Sequence, residues 1–183
     1  MQRFVFQETG IDGLVQITPF CAADQRGFFT KPFERSVFAE HGIELTLWEE
    51  LRSLSHKGVL RGLHFQHRNS QDKLVQVLHG AAYDVAVDLR KNSPTCGQWK
   101  GFYLTAENQQ MIYIPKGFAH GFLALEEGTL FNYLCGDRYT PDADGGIRWN
   151  DPQLAVDWPL EQVEQVIVSE KDAALPSLAD YLE

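Results

Sequence analysis

Short stretches of alternating apolar and polar residues, separated by turn-forming residues, dominate the middle of the sequence. From Tyr83 to Leu89 every second side chain is apolar, which is the repeat of a β-strand with Asp84 and Asp88 on its other face. His79-Gly80 before it has turn character. Apolar runs bounded by breakers predict further strands at 74–78, 102–105, 111–114, 121–125 and 130–135.

Helical signal is weak by comparison. A short helix is predicted at 36–40, before Gly42, and a second one begins at Ser169, where Ser169 and Asp172 have the spacing of a helix start. Many short strands at this spacing are typical of a sandwich or barrel. No linker or repeat interrupts the 183 residues. We therefore expect a single all-β domain over 1–183 with short helices at its margins.

The composition is that of an ordinary globular protein, with 44% hydrophobic and 22% charged residues. No run of about 18 apolar residues occurs, so we expect no membrane partner. Three sparse cysteines predict free thiols in a reducing compartment, and early polar residues speak against a signal peptide. The expectation is a cytoplasmic protein.

Charge narrows the choice of partner. A net charge of −9 argues against nucleic-acid binding, which needs a basic face. Between Arg52 and Lys73, however, five basic residues stand against one acidic residue. Such a stretch indicates either a site for an anionic small molecule or a solvated surface, and charge alone leaves both open.

Two of the six histidines stand in unusual settings. His64 follows Arg61 by three residues within an apolar run, and His120 ends a segment of the form PxGxxH. Each is, by itself, compatible with a buried core histidine.

Together the two histidine segments resemble the half-motifs of the cupin superfamily, which implies a jelly roll (double-stranded β-helix). Many cupins bind a metal with such histidines, so a metal site has to be considered. His67 would point away from His64 on a strand, no carboxylate follows closely, and Lys73 adds a cation. We expect no metal and no other cofactor.

The resemblance is closer to one cupin family, dTDP-4-dehydrorhamnose 3,5-epimerase. Six segments are similar to it, in family order and across nearly the whole chain. They are DQRGFF at 24–29, GVLRGLHFQ at 58–66, DVAVDLRKNSPT at 84–95, IPKGFAHGF at 114–122, WNDP at 149–152 and SEKD at 169–172.

This resemblance implies a cofactor-free epimerase that inverts C3, C5 or both in a nucleotide-linked 4-keto-6-deoxyhexose. His64 would be the base, oriented by Asp172, Tyr133 the proton donor, and Lys73 the cation that stabilises enolate charge. A histidine suits the base because its ordinary pKa of about 6.5 lies near working pH. The family also implies a homodimer. Its substrate contacts map onto Arg26, Arg61, His120, Asp144 and Lys171.

Two places depart from the family pattern. Lys31 stands where the family usually has Glu, and Glu49-Glu50-Leu51 replaces a Gln-Asp-Asn-like segment; Lys31, Glu49 and Glu50 therefore map to the nucleotide-binding side. The main prediction is a dTDP-4-dehydro-6-deoxy-D-glucose 3,5-epimerase. The alternatives are a single-centre epimerase of a CDP- or GDP-linked sugar, a nucleotide-sugar 3,4-ketoisomerase and a non-catalytic sugar-binding cupin.

Overall fold

A computed structural model describes residues 3–182 of the chain. Met1, Gln2 and Glu183, which the single-domain prediction includes, lie outside the described residues. Thirteen strands and three short α-helices are formed by residues 3–182. The strands are β1 Val5–Glu8, β2 Val15–Thr18, β3 Phe20–Asp24, β4 Gly27–Lys31, β5 Glu49–Ser55, β6 Leu60–Gln66, β7 Lys73–His79, β8 Ala81–Asp88, β9 Trp99–Thr105, β10 Met111–Ile114, β11 Phe118–Ala124, β12 Thr129–Cys135 and β13 Asp144–Gly146; the helices are α1 Arg35–Glu40, α2 Glu170–Ala173 and α3 Leu178–Leu182.

The strands form two large antiparallel sheets and one separate hairpin. The six-stranded sheet has the order β1-β2-β10-β7-β12-β5, and the five-stranded sheet has the order β13-β6-β11-β8-β9. Within residues 3–182, β3 pairs only with β4. Apolar side chains from both sheets pack into one core, where the rings of Phe122 and Phe131 stack 4.2 Å apart. This arrangement confirms the all-β, jelly-roll prediction.

In strand β8 the predicted alternation places two sets of side chains on opposite faces of the sheet. All eight of its residues are buried. Tyr83, Val85 and Val87 pack under the C-terminal segment, while the face carrying Asp84 and Ala86 looks into the space between the sheets. Because both faces are covered, the aspartates of this strand are buried rather than solvated.

The predicted strands from residue 74 onward all exist, within a few residues of their expected ends. Both predicted helices are present too, and the hydroxyl of Ser169 accepts the backbone N–H of Asp172 at the start of α2. Sequence reasoning did not anticipate β1 to β5 or β13. No helix among residues 3–182 is long and apolar enough to cross a membrane.

Candidate active site

A cavity of about 500 Å³ opens between the two sheets and the start of α2. Its size falls in the range of small-molecule sites. Seven of the predicted site residues line it: His64, Lys73, Tyr133, Asp172, Arg61, Asp144 and Lys171.

A histidine–aspartate pair lines the cavity. Nε2 of His64, on β6, lies 2.8 Å from Oδ1 of Asp172, on α2. The His64 side chain is 33% exposed, whereas that of Asp172 is 6% exposed. One imidazole nitrogen is therefore tied to a buried carboxylate while the ring reaches the cavity, as a positioned general base requires.

Several contacts keep Asp172 ionised. Burial raises the pKa of this carboxyl, but hydrogen bonds from His64 and from the backbone N–H of Gly62, at 3.0 Å, outweigh it and leave the pKa below its ordinary value. Gly62 has a φ of +126°, and a Cβ built there would lie 2.5 Å from Cα of Gly121 on β11. Only glycine allows this approach of backbone to backbone while presenting its N–H to Asp172.

Lys73 and Tyr133 come from neighbouring strands of the opposite sheet, β7 and β12. Loss of hydration lowers the pKa of Lys73, and the nearby charges of Asp84 and Asp144 act in the opposite direction. Burial raises the pKa of Tyr133, whose hydroxyl lies 3.4 Å from Oγ of Ser53. Tyr133 is consequently protonated at neutral pH and able to act as a donor.

A second histidine–aspartate pair lies deeper in the molecule. Nε2 of His120, on β11, lies 2.6 Å from Oδ1 of Asp84, and the two side chains are 4% and 0% exposed. The His120 ring is 6.1 Å from the Tyr133 ring, edge to face. His120 thus lies behind the cavity lining rather than in it.

The mouth of the cavity carries charge of both signs. Asp144 accepts hydrogen bonds from the Lys171 ammonium and from the Tyr139 hydroxyl. Burial raises the pKa of Asp144, but these donors outweigh it and the net pKa is lowered. Arg61, bonded through Nε to Ser55 at 3.2 Å, adds a second exposed cation. The mouth therefore suits an anionic ligand.

Besides His120, four predicted substrate contacts do not line this cavity: Arg26, Lys31, Glu49 and Glu50. Arg26 is at the tip of the β3–β4 hairpin, paired with Asp24, and Lys31 ends the same hairpin. Glu49 accepts the backbone N–H of Tyr139 at 3.0 Å, and the exposed Glu50 pairs with Arg52.

Some cavity residues were not anticipated from sequence, notably Ser53, Tyr139, Gln66, Gln71 and Cys135. The only available signal for Tyr139 was its place six residues after Tyr133, just past the end of β12. His67 does not line the cavity; it packs beside Phe65 and Tyr181. Within residues 3–182 no three His, Cys, Asp or Glu side chains are grouped as a metal site would need.

Comparison with known proteins identifies relatives over almost the whole chain. The family model described as dTDP-4-dehydrorhamnose 3,5-epimerase matches residues 8–180. The enzymes of that name from Methanothermobacter thermautotrophicus and Escherichia coli are 49% and 45% identical, over 94% and 95% of this chain and 93% and 94% of theirs. A crystal structure of dTDP-6-deoxy-D-glucose-3,5-epimerase from Legionella pneumophila, in complex with dTDP-4-keto-L-rhamnose, is 47% identical with a TM-score of 0.93, covering 97% of this chain and 94% of that one.

These relatives confirm the resemblance found in the sequence, including the reaction class of an isomerase that acts on carbohydrates. The chain belongs to the dTDP-4-dehydrorhamnose 3,5-epimerase family.

Proposed function

We propose that this chain inverts C3 and C5 of a dTDP-linked 4-keto-6-deoxyhexose, without a cofactor. The observation that carries the proposal is the 2.8 Å His64–Asp172 pair at the cavity, with Lys73 and Tyr133 lining the same space from the opposite sheet. A base and an acid on two sides of one cavity are what inversion at carbon requires.

The first step is removal of a proton from carbon. The C3–H and C5–H bonds flank the C4 ketone, so either carbanion is an enolate. The free nitrogen of His64 takes the proton and the ring becomes an imidazolium. Asp172, ionised and held by the Gly62 N–H, orients the neutral ring and stabilises its charged form. Its role is that of a positioning group.

The second step returns a proton from the other face. The ammonium of Lys73 stabilises the negative oxygen of the enolate. The hydroxyl of Tyr133 then gives its proton to the same carbon from the side opposite His64, which inverts the centre. The raised pKa of Tyr133 supports this role because the group is protonated when the enolate forms.

The nucleotide is assigned to the mouth of the cavity. Arg61 and Lys171 are cations suited to a diphosphate. The names of the relatives favour thymine over cytosine or guanine, and inversion of two centres over one. They also favour an epimerase over a ketoisomerase or a sugar-binding module. Glu49, Glu50 and Lys31 are proposed to contact the nucleotide side of the substrate.

We further propose that the 1–183 domain acts as a homodimer in the cytoplasm. The β3–β4 hairpin pairs with no other strand among residues 3–182, and it exposes Phe28 and Phe29 at 61% and 65%. Arg26 and Lys31 lie on this hairpin, outside the cavity of their own chain. A substrate contact from either residue therefore calls for a second copy.

The test is proton NMR of the reaction in deuterium oxide. With dTDP-4-dehydro-6-deoxy-D-glucose, the protein should incorporate deuterium at C3 and C5 and form the doubly inverted sugar. His64→Asn should reduce both exchange and inversion by about 10⁴-fold while dTDP still raises the melting temperature. Exchange at a single carbon, or preference for a CDP- or GDP-linked sugar, would favour the single-centre alternative, and binding without any exchange would favour a sugar-binding module.

A further inference from the structure

The hydroxyl of Tyr133 has a single hydrogen-bond partner among the side chains the structure describes, Oγ of Ser53 at 3.4 Å. Ser53 lies on β5, directly opposite Phe131 of β12, at the edge of the six-stranded sheet. It also lines the cavity. Ser53 therefore touches both the buried hydroxyl and the space that solvent enters.

The contact between Ser53 and Tyr133 has a chemical purpose in the proposed function, on which this inference rests. Each inversion moves one proton from carbon to His64 and another from Tyr133 to carbon. The enzyme is then left with an imidazolium and a phenolate. Two inversions for each substrate require this state to be reset twice, so the return of a proton to Tyr133 is part of every turnover.

The phenolate form of Tyr133 is a strong base, and its surroundings disfavour the negative charge. Burial raises the pKa of Tyr133, the charge of Asp84 adds to that effect, and the hydrogen bond to Ser53 and the charge of Arg61 lower it in part. The ionised oxygen consequently needs a rapid supply of a proton.

We propose that Ser53 is a positioning residue that returns protons to Tyr133. In one concerted shift, the Oγ–H bond of Ser53 breaks as its proton moves to the phenolate oxygen. Oγ takes a proton from a water molecule in the cavity. The hydroxide left behind is neutralised by the proton that His64 releases to the same solvent, so the cycle closes with no net change.

The neighbouring groups fit this role less well. Ser55, two residues along the same face of β5, is buried, accepts Nε of Arg61 and does not line the cavity. No hydrogen bond joins Lys73 to Tyr133 among the contacts of residues 3–182. Ser53 combines a hydroxyl proton, contact with Tyr133 and access to the cavity.

The test compares Ser53→Ala with Ser53→Thr, which keeps the hydroxyl, and with Leu54→Ala, which changes an exposed side chain of the same strand. Rapid-quench measurements in dilute buffer should show that Ser53→Ala makes one inversion per enzyme at the wild-type rate and then slows by about tenfold or more. Singly inverted sugar should accumulate. Added imidazole, at constant pH and ionic strength, should restore turnover in Ser53→Ala and leave the wild type unchanged.

Ser53→Thr and Leu54→Ala should behave as the wild type. Ser53→Ala turning over at the wild-type rate in dilute buffer would overturn the proposal. Slow turnover with neither an initial burst nor rescue by imidazole would also overturn it, since a packing role alone predicts that pattern. Failure of the wild-type chain to invert any 4-keto nucleotide sugar would instead contradict the proposed function itself, and this proposal with it.

Discussion

Two histidine–aspartate pairs lie side by side in this molecule and differ in almost every physical respect. His64 and His120 are direct partners across β6 and β11. The first ring reaches the cavity and its aspartate comes from α2, 108 residues away in sequence. The second pair is sealed behind the cavity, and its aspartate comes from the adjacent strand β8.

The two carboxylates also differ in how their charge is neutralised. Both oxygens of Asp172 are hydrogen-bonded, one to His64 and the other to Gly62. Asp84 bonds His120 through Oδ1, but its buried Oδ2 has no hydrogen-bond partner in the described part of the chain. Asp172 is therefore suited to orienting an imidazole. The charge of Asp84 lies between the sheets, where it adds to the raised pKa of Tyr133 and offsets part of the lowering of the pKa of Lys73 by burial. The same two residue types are thus placed to orient a ring in one pair and to act on nearby pKa values in the other.

The largest effect is expected from Asp172→Asn. The amide keeps the shape of the side chain but no longer fixes the tautomer of His64 or stabilises its imidazolium. Deuterium exchange and inversion should fall together by about 10³-fold or more, because both depend on the base. Initial rates by proton NMR measure this loss.

The matched control is Asp180→Asn. Asp180 is an exposed aspartate of α3 that bonds Ser177, and its replacement should leave the exchange rate unchanged. A loss of less than tenfold in Asp172→Asn would show that His64 works without its carboxylate, and the two pairs would then be equivalent.

A smaller, pH-dependent effect is expected from Asp84→Asn. Lys73 must be charged and Tyr133 protonated, so activity is lost as pH rises through either pKa. Removal of the Asp84 charge lowers both pKa values, and the alkaline limb of the kcat/KM profile should move to lower pH. At neutral pH the loss should be less than the hundredfold or so that follows removal of a direct electrostatic contact. If the alkaline limb of Asp84→Asn does not move, Asp84 has no effect on these pKa values and serves only as the hydrogen-bond partner of His120.

Asp88→Asn, on the same strand as Asp84, is expected to change the stability of the fold without changing the pKa values in the cavity. Asp88 is as buried as Asp84, yet it accepts hydrogen bonds from Arg90, Ser93 and Thr95. Burial raises its pKa, but these donors outweigh it and hold the pKa well below the ordinary value. Its contribution to stability is therefore complete at pH 7 and is lost only as pH falls toward that lowered pKa.

In Asp88→Asn we expect the free energy of unfolding, measured in urea at pH 7, to fall by about 2–3 kcal/mol. The alkaline limb should stay where it is in the wild type. Movement of that limb in Asp88→Asn would show that any buried charge on β8 changes the pKa values of Lys73 and Tyr133. The effect would then not be specific to Asp84.

Sequence patterns predicted the fold best where each strand carries its own apolar run or apolar repeat. Strands β7 to β12 have this property. Strand β5, which reads EELRSLS, is polar and lies at a sheet edge, so it is specified by pairing with β12 rather than by its own composition. Strand β13 is three residues long and exists only because it pairs with β6. Such tertiary dependence is not visible in a local pattern.

The candidate site also contains residues that the sequence indicates and contacts that only the fold establishes. His64 and His120 stand out in sequence, but their pairing with Asp172 and Asp84 is set by the fold. The family resemblance predicts Asp172 beside His64, whereas it gives Asp84 no role beyond its place in an alternating, family-like strand segment. Ser53 had no signal, because a serine on a polar strand is ordinary until the hydroxyl of Tyr133 is found beside it.

Removal of divalent metal is expected to have no effect on activity, which is the smallest effect in this series. A histidine whose far nitrogen is held by a carboxylate is a common feature of metal sites, and both pairs have that form. Lys73 nevertheless lines the same cavity as His64, and its ammonium would repel a divalent ion. Dialysis against EDTA should leave exchange at C3 and C5 at its original rate. Loss of activity restored by zinc, iron or manganese would make the His64–Asp172 pair a metal ligand with its supporting carboxylate, and the base would have to be sought elsewhere.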